Sequence, residues 1–333
     1  MSLRSKLDAQ PERSAIVTDT TLPTVSKSGQ ASRAFAILLV VLVGVYALPL
    51  YRLVRYSLEN DLWSHVLLVP WISLYLVWLR KSQLPPAAPS FSFYAAVPLL
   101  GGVAAAVSLS AMKFNGTGLT PANSISITIL SFVLFLMAIA AWVSGPVRTR
   151  ALAFPLAFLI FMVPFPTFIT HAVEVFFQHA SADAASLLLA ISQTPVLRDG
   201  LFFKLPGITV EVAEECSGIR STLVLFITSL VGAYLFFQSR THRALLASAV
   251  IPIAIIRNGL RIFTIAMLCV HVSPEMIHSW IHRRGGPFFF LLSLIPFFAL
   301  LLFLYRRERK ARKPERAASP SGAASSQAHV SRQ

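Results

Sequence analysis

The sequence predicts an all-α, polytopic integral membrane protein with about eight transmembrane helices. Of the 333 residues, 55% are hydrophobic and only 13% are charged, and the mean hydropathy is +0.67. Soluble domains carry about 25% charged residues, so this composition is typical of a membrane protein. Apolar runs long enough to cross the hydrocarbon core recur along the chain, with short polar loops between them.

The distribution of positive charge predicts how the spans are oriented. The formal net charge is +15, and lysines and arginines gather at every second end of the apolar runs. These clusters are Arg80–Lys81, Arg148 with Arg150, Arg240 with Arg243, and Arg306–Lys313. Such asymmetry follows the positive-inside rule, so the charge indicates a lipid bilayer and no nucleic acid as partner. Both termini are therefore expected in the cytoplasm.

Four spans are predicted in the first half of the chain. Residues Met1–Arg33 are polar and rich in Ser, Thr and Pro, which is typical of a disordered cytoplasmic tail, and the transmembrane domain then covers 34–305. Each span is an apolar run bounded by charged residues or by proline and glycine. The expected spans are Ala34–Val54, Val66–Leu79, Phe91–Met112 and Ser124–Val143.

A non-membrane insertion is expected after the fifth span. That span, Ala151–Pro164, ends at Pro164-Phe165-Pro166, and proline breaks a helix. Residues from about 169 to 215 then form an extracytoplasmic insertion. Within it, His171–Gln193 mixes polar and apolar residues as interfacial helices do. The short runs Leu201–Lys204 and Ile208–Val212 are bounded by glycine and proline turns, which predicts a small β-hairpin.

Three further spans are predicted after the insertion. They are expected at Ser217–Phe237, Ala244–Val270 and Pro287–Tyr305. Pro252 lacks the backbone N–H of a regular helix and predicts a kink in the seventh span. Residues 306–333 are expected to be a basic, disordered cytoplasmic tail.

Ionisable and polar residues concentrate around the outer ends of these last three spans. They are Glu214, Cys216 and Arg220 before and in the sixth span, Arg257, Asn258 and Arg261 inside the seventh, and His278 and His282 before the eighth. Such side chains are costly at membrane depth, which makes them candidates for function. Arg261 is expected about 13 Å inside the outer end of its span. It can extend outward, or a helix break at Asn258-Gly259 can bring it nearer the surface.

The residue types fit acyl transfer on a peptide bond. A cysteine becomes nucleophilic as the thiolate, which cationic neighbours and a helix N-terminus favour, and Cys216 has both. An imidazole can take the thiol proton and return it to a leaving amine. An arginine can supply donors to the oxyanion that forms when a thiolate attacks a carbonyl.

The arginines also have non-catalytic interpretations. Arg257 can be a structural charge paired with Glu214 or with a helix carbonyl, and Arg220 is expected to act as electrostatic support. The chain can alternatively be a non-enzymatic transporter or an exopolysaccharide-assembly subunit, in which Arg257 and Arg261 line a polar path.

The cysteines and histidines leave two more alternatives open. His278 and His282 have the spacing of a metal-ligand pair, but no HExxH motif is present, so no metal or cofactor is predicted. Cys269 is expected to be a packing residue in an apolar helix, although a disulfide with Cys216 is possible.

In its motifs the chain resembles the exosortases, the Gram-negative branch of a group of polytopic transpeptidase-like enzymes. The resemblance extends over roughly Asp61–Tyr305. It rests on an ordered set in consecutive spans: Cys216-Ser217-Gly218, Asn258-x-x-Arg261 and His282-x-x-x-Gly286. Further matches are Trp63-Ser64-His65, Leu68-Val69-Pro70, Phe154-Pro155, Met162-Val163-Pro164, Gly200–Pro206 and Val212-Ala213-Glu214. Arg283-Arg284 after the histidine and Glu215 before the cysteine depart from the family pattern.

The resemblance implies catalytic roles and a class of substrate. It implies Cys216 as nucleophile, Arg261 as transition-state stabiliser and His282 as acid and base. The implied substrates are exported, membrane-anchored proteins with a short C-terminal sorting signal, such as Pro-Glu-Pro followed by a transmembrane helix and a basic tail. Cleavage is expected on the periplasmic face of a bacterial inner membrane, with transfer to an envelope acceptor. Cationic side chains near the site, Arg220 and Arg257 among them, are candidates for pairing with the glutamate of the signal.

Overall fold

The computed structural model describes residues 27–116, 119–206, 208–212, 218–278 and 285–317. Within these ranges six helices are long and apolar enough to cross a membrane, and up to eight spans result if each of two bent helix pairs is one span. The predicted all-α, multi-pass architecture is therefore confirmed. Residues 1–26 of the predicted N-terminal tail and 318–333 of the C-terminal tail lie outside the described ranges.

The first predicted span is bent. Helix α1 (Lys27–Val45) and helix α2 (Ala47–Glu59) meet at Tyr46, and their axes differ by 69°. Pro49 explains the bend, because it has no N–H to donate to the carbonyl of Val45 and its ring crowds that carbonyl. The hydroxyl of Tyr46 lies 2.5 Å from the hydroxyl of Ser131, which fixes the bend against the fourth predicted span.

The next spans follow their predicted limits closely. Helix α3 (Val69–Arg80) is preceded by a 3₁₀ turn at Asp61–Leu67 and followed by another at Lys81–Gln83. Helices α4 (Phe93–Phe114) and α5 (Pro121–Ala151) pack against each other along their lengths. Helix α5 runs past the predicted limit of Val143 because it continues beyond a kink at Gly145, where φ is 74°.

The proline break after the fifth span is confirmed. Helix α6 (Ala153–Phe158) continues as a 3₁₀ turn at Leu159–Met162, and helix α7 (Thr167–Ile191) then leaves at 91°. The side-chain oxygen of Asn123 accepts hydrogen bonds from the N–H and the hydroxyl of Thr167, at 2.9 and 3.2 Å. This contact ties the start of α7 to the start of α5.

The insertion contains a sheet larger than the predicted hairpin. Strands β1 (Leu197–Asp199), β2 (Phe202–Leu205) and β3 (Ile208–Glu211) form an antiparallel sheet in that order. The predicted hairpin is β2–β3, and β1 is an addition. The buried face of the sheet packs on α7 and on a later helix through these residues: Phe203, Leu205, Val210, Ala185, Leu189, Ile262 and Ala266.

The exposed face of the sheet carries charge. Arg198 forms an ion pair with Asp183 at 2.6 Å, and Lys204 forms one with Asp199 at 3.4 Å. Open strand edges and exposed ion pairs are not tolerated in hydrocarbon. These features are those of a segment outside the hydrocarbon core, as expected for the predicted insertion.

The last spans are α8 (Ile219–Phe236), α9 (Arg240–Ser248) with α10 (Val250–His271), and α11 (Gly286–Ala317). Helices α9 and α10 together form one span candidate, interrupted at Ala249. The interruption lies just before Pro252, whose missing N–H would bond to the carbonyl of Ser248, so the predicted irregularity is present.

Helix α11 continues further than the sequence suggested. Arg306–Ala317, assigned above to a disordered tail, are helical. Glu308 explains part of this, because its buried carboxylate accepts hydrogen bonds from the N–H of Gln238 and from Nδ1 of His242, each at 2.9 Å. Arginine, lysine, glutamate and alanine are also strong helix formers.

Helix α8 is fixed on two sides. Leu223 and Ile227 belong to a core with α3, α5 and α6, whereas Leu225 and Ala233 belong to another core with α9, α10 and α11. Because both cores are densely buried, the position of the N-terminus of α8 is determined by packing along the whole helix.

Candidate active site

Gly218 caps α8 in a conformation that other residues rarely adopt. Its φ and ψ are 65° and 16°, in the left-handed region. A Cβ at this position would lie 2.5 Å from Oδ1 of Asn258 and 2.7 Å from Nη2 of Arg257. Both the backbone angle and the close approach of α10 therefore require glycine here. The sequence identified this glycine only as part of a motif.

Arg257 is buried and bonded to the first turn of α8. Arg257 is only 5% exposed. Its Nη2 donates to the carbonyl of Gly218 at 3.2 Å and to Oγ1 of Thr222 at 3.1 Å. The hydroxyl of Thr222 in turn donates to the same carbonyl at 2.8 Å. Of the two partners expected for Arg257, the structure supplies the helix carbonyl. Glu214 lies outside the described residues.

Arg261 lies one turn along α10 from Arg257 and is partly buried. The helix is continuous from Val250 to His271, so of the two alternatives for Arg261 the helix break at Asn258-Gly259 is excluded. Asn258 is instead a buried helical residue, 3% exposed, whose amide packs beside Gly218. Arg257 and Arg261 are four residues apart in this continuous helix, which places both arginines on one face of α10.

Arg261 lies next to the part of α10 that the sheet covers. Ile262 and Ala266 pack under the sheet. Protein therefore covers this side of α10, and the depth of about 13 Å stays a prediction.

Residues on both sides of the predicted nucleophile are fixed. Val212 is 1% exposed; its N–H donates to the carbonyl of Leu201, and its carbonyl accepts a 3.1 Å bond from the buried amide of Gln178. Gly218, at the other side, is fixed to α10 as described above. Cys216 and Glu214 belong to residues 213–217, which lie outside the described residues, and so does His282.

The remaining predicted residues have distinct environments. Arg220 is exposed on the first turn of α8. Cys269 is 2% exposed in α10, consistent with a packing role. His278 ends a 3₁₀ turn, Pro274–His278. Within the described ranges, no three His, Cys, Asp or Glu side chains come together as a metal site would require.

One residue at the site was missed by the sequence analysis, and one motif residue is buried near α8. Thr222 is an ordinary polar residue in an apolar span, and only its spacing of four from Gly218 gave a signal. His65, named above in the match Trp63-Ser64-His65, is 8% exposed, and its Nδ1 lies 3.1 Å from the carbonyl of Leu62. Because a carbonyl only accepts, Nδ1 is the donor. The 3₁₀ turn containing His65 packs against α8.

An apolar cavity of about 530 Å³ adjoins the polar contacts. It is bounded by the first turns of α8, by α7 and by the start of α10. Thr222, Phe226 and Phe168 are among the residues that line it. Since Thr222 also bonds to Arg257, an apolar segment in this cavity would adjoin the head of α8.

Fold and site together define a multi-pass membrane protein with a polar centre where α8 meets α10. A sequence model of the family described as transmembrane exosortase (Exosortase_EpsH) matches residues 57–299, which is most of the chain. The chain belongs to this family of membrane proteins of the transpeptidase type. No curated protein matches the chain. No solved structure matches it either.

Proposed function

We propose that this protein is a membrane-embedded cysteine protease and transpeptidase. It cleaves the C-terminal sorting signal of exported, membrane-anchored proteins, of the Pro-Glu-Pro type, by acyl transfer through Cys216. The observation that carries the proposal is the bond between Arg257 and Gly218, which brings α10 to the helix end that follows Cys216. Two peptide bonds join Cys216 to Gly218, so its Cα is at most about 7.6 Å from that of Gly218.

Electrostatics at this helix end favour a thiolate. The N-terminus of α8 carries a partial positive charge, and Arg257 and Arg261 add two cations on the neighbouring helix. Within the described chain, no carboxylate lies within ion-pair distance of Arg257. A buried cation in such surroundings stabilises a nearby anion, and the anion formed in this chemistry is the sulfur of Cys216.

The reaction has two acyl-transfer steps. His282 takes the proton from the thiol of Cys216, and the thiolate attacks the carbonyl carbon of the scissile peptide. Arg261 donates hydrogen bonds to the oxyanion. His282 then gives the proton to the leaving amine, the C–N bond breaks, and a thioester remains. An acceptor nucleophile loses its proton to His282 and attacks the thioester, and the thiol is regenerated.

The arginines are proposed to divide the remaining work. Arg257 is committed to Gly218 and Thr222, so its role is to position α8. Arg220 is exposed and is the better candidate for pairing with a glutamate in the signal. The apolar cavity beside Thr222 would take the hydrophobic part of the substrate. The enzyme acts from the periplasmic face of a bacterial inner membrane, with both termini in the cytoplasm, and transfers the product to an envelope acceptor.

Co-expression with a signal-bearing substrate tests the proposal. Cys216→Ala, Arg261→Ala and His282→Ala should each lower processing by roughly 100-fold or more, as loss of a nucleophile, oxyanion donor or base does. Cys269→Ala is the matched control for the thiol and should process normally. A thioester between Cys216 and substrate, trapped and identified by mass spectrometry, should be present in the wild type.

Normal processing by Cys216→Ala would reject the cysteine mechanism. Absence of any processing in the wild type would favour a transporter or an assembly subunit. Processing that is abolished by chelators would instead favour a metal bound through His278 and His282.

A further inference from the structure

A second cavity lies between α1, α3, α5 and α6, away from the head of α8. Its volume is about 450 Å³, within the range of small-molecule sites. Most of its lining is apolar, including Leu39, Leu74 and Leu159. Arg148 is the cation of the lining and lies at the basic end of the bundle, while the hydroxyl of Ser73, further along, already donates to the carbonyl of Pro155. The cavity is therefore amphipathic along its length.

The direction of Arg148 is set by the kink in α5. At Gly145, a Cβ would lie 2.1 Å from the carbonyl oxygen of Ala88, so only glycine permits this approach. The N–H of Ser90 donates to the carbonyl of Trp142 at 3.0 Å, which holds the preceding loop against the helix. The last turn of α5 is consequently fixed in a new direction, with Arg148 lining the cavity.

The neighbouring arginine on the same turn has a different environment. Arg150 is exposed, and its Nε donates to the hydroxyl of Tyr94 at 2.5 Å. Arg148 is half-buried, and no carboxylate of the described chain lies within ion-pair distance of it. A cation in largely apolar surroundings is costly without an anionic partner.

We propose that this cavity binds an anionic phospholipid, with the phosphate against Arg148 and an acyl chain along the apolar lining. Ser32 and Ser144 also line the cavity and provide hydroxyls at the same end. Between Leu136 and Arg148 the lining covers roughly 18 Å of helix at 1.5 Å per residue. That length suits a chain with a charged head better than a free phosphate. The site requires no part of the proposed catalytic reaction.

The experiment measures lipid binding to the purified full-length protein. The protein is reconstituted in phosphatidylcholine with and without phosphatidylglycerol, and retained lipid is counted by native mass spectrometry alongside thermal unfolding. Phosphatidylglycerol should be retained and should raise the unfolding temperature of the wild type. Glycerol 3-phosphate and inorganic phosphate, added to protein in phosphatidylcholine, should have no effect, which separates a lipid site from a phosphate site.

Matched variants locate the binding. Arg148→Gln should weaken phosphatidylglycerol retention by roughly fivefold to tenfold, the loss of one arginine contact. Arg150→Gln should leave it unchanged. Leu74→Trp, which fills the lining, should also displace the lipid, whereas Leu79→Trp on the same helix should not, because Leu79 is exposed and outside the lining.

Equal retention by Arg148→Gln and Arg150→Gln would overturn the proposal. So would equal stabilisation by phosphatidylcholine and phosphatidylglycerol, or stabilisation by glycerol 3-phosphate alone. Because processing of a sorting signal is measured separately, failure of the lipid site leaves the proposed function unaffected.

Discussion

The guanidinium of Arg257 donates a 3.2 Å hydrogen bond to the carbonyl of Gly218, joining the middle of α10 to the cap of α8. The same carbonyl accepts bonds from the N–H of Thr222 at 3.0 Å and from its hydroxyl at 2.8 Å. One backbone oxygen therefore fixes the relative position of two spans, at the helix end where the cysteine motif begins.

Gly218→Ala should destabilise the protein and abolish processing. An alanine in the left-handed region costs about 1–2 kcal/mol, and the contacts with Asn258 and Arg257 add an overpacking cost of about 1–3 kcal/mol. Unfolding in detergent micelles and processing of a co-expressed substrate measure the two effects. The matched control is Gly232→Ala in the same helix, where a Cβ would meet Leu301 at an ordinary 3.6 Å. Equal stability of the two variants would contradict the role assigned to Gly218.

Arg257 and Thr222 should be energetically coupled. In a double-mutant cycle of Arg257→Gln and Thr222→Val, the interaction energy should be about 0.5–3 kcal/mol, because the two side chains share a hydrogen bond and a common acceptor. Thr228→Val provides the control cycle, since Thr228 is exposed on α8 and its hydroxyl donates to the carbonyl of Val224 in its own helix. If the coupling of Arg257 with Thr222 is no larger than its coupling with Thr228, the hydrogen bond between Arg257 and Thr222 does not stabilise the protein.

Local chemistry explains what the sequence predicted well. Proline at positions 164 and 166 removes helix donors, and a glycine or proline turn follows each of the first two strands, so the break and the hairpin were readable without tertiary information. The limits of α8 were predicted within two residues, because a long apolar run ends in polar residues at both sides. The spacing of four between Arg257 and Arg261 likewise followed from helix geometry alone.

Long-range packing explains what the sequence did not predict. The sheet covers Ile262 and Ala266 of α10, and no pattern within α10 indicates that cover. The partners of Arg257 depend on the register between α8 and α10, which the cores around Leu223 and Leu225 set from both sides. The extension of α11 depends on Glu308 meeting α9. The roles of Cys216 and His282 stay predictions.

Glu308→Ala should destabilise the packing of α11 at the basic end of the bundle. The variant lacks the carboxylate that accepts hydrogen bonds from the N–H of Gln238 and from Nδ1 of His242. Loss of these bonds should lower the free energy of unfolding by about 1–3 kcal/mol. Thermal unfolding in micelles measures the loss. Glu59→Ala is the matched control, because the ion pair between Glu59 and Arg55 is exposed to solvent, where such pairs contribute little to stability. Comparable losses in both variants would mean that burial of Glu308 has no consequence.

Gly259→Ala should push α7 and α10 apart and lower the stability of the fold. A Cβ at Gly259 would lie 2.6 Å from Cβ of Ala184 and 3.1 Å from the N of Ala185, so the helices cannot keep their spacing. The expected loss is about 1–3 kcal/mol of unfolding free energy.

A second variant, Ala184→Gly, removes the atom closest to the new Cβ. The double variant Gly259→Ala with Ala184→Gly should therefore regain part of the lost stability. The regain should be incomplete, because the backbone of Ala185 stays close and the new glycine lowers helix propensity. A double variant that is no more stable than Gly259→Ala alone would mean that the contact between Gly259 and Ala184 does not set the helix spacing. Because α10 carries Arg257 and Arg261, the same double variant should also recover processing of a sorting signal if the position of α10 controls the site.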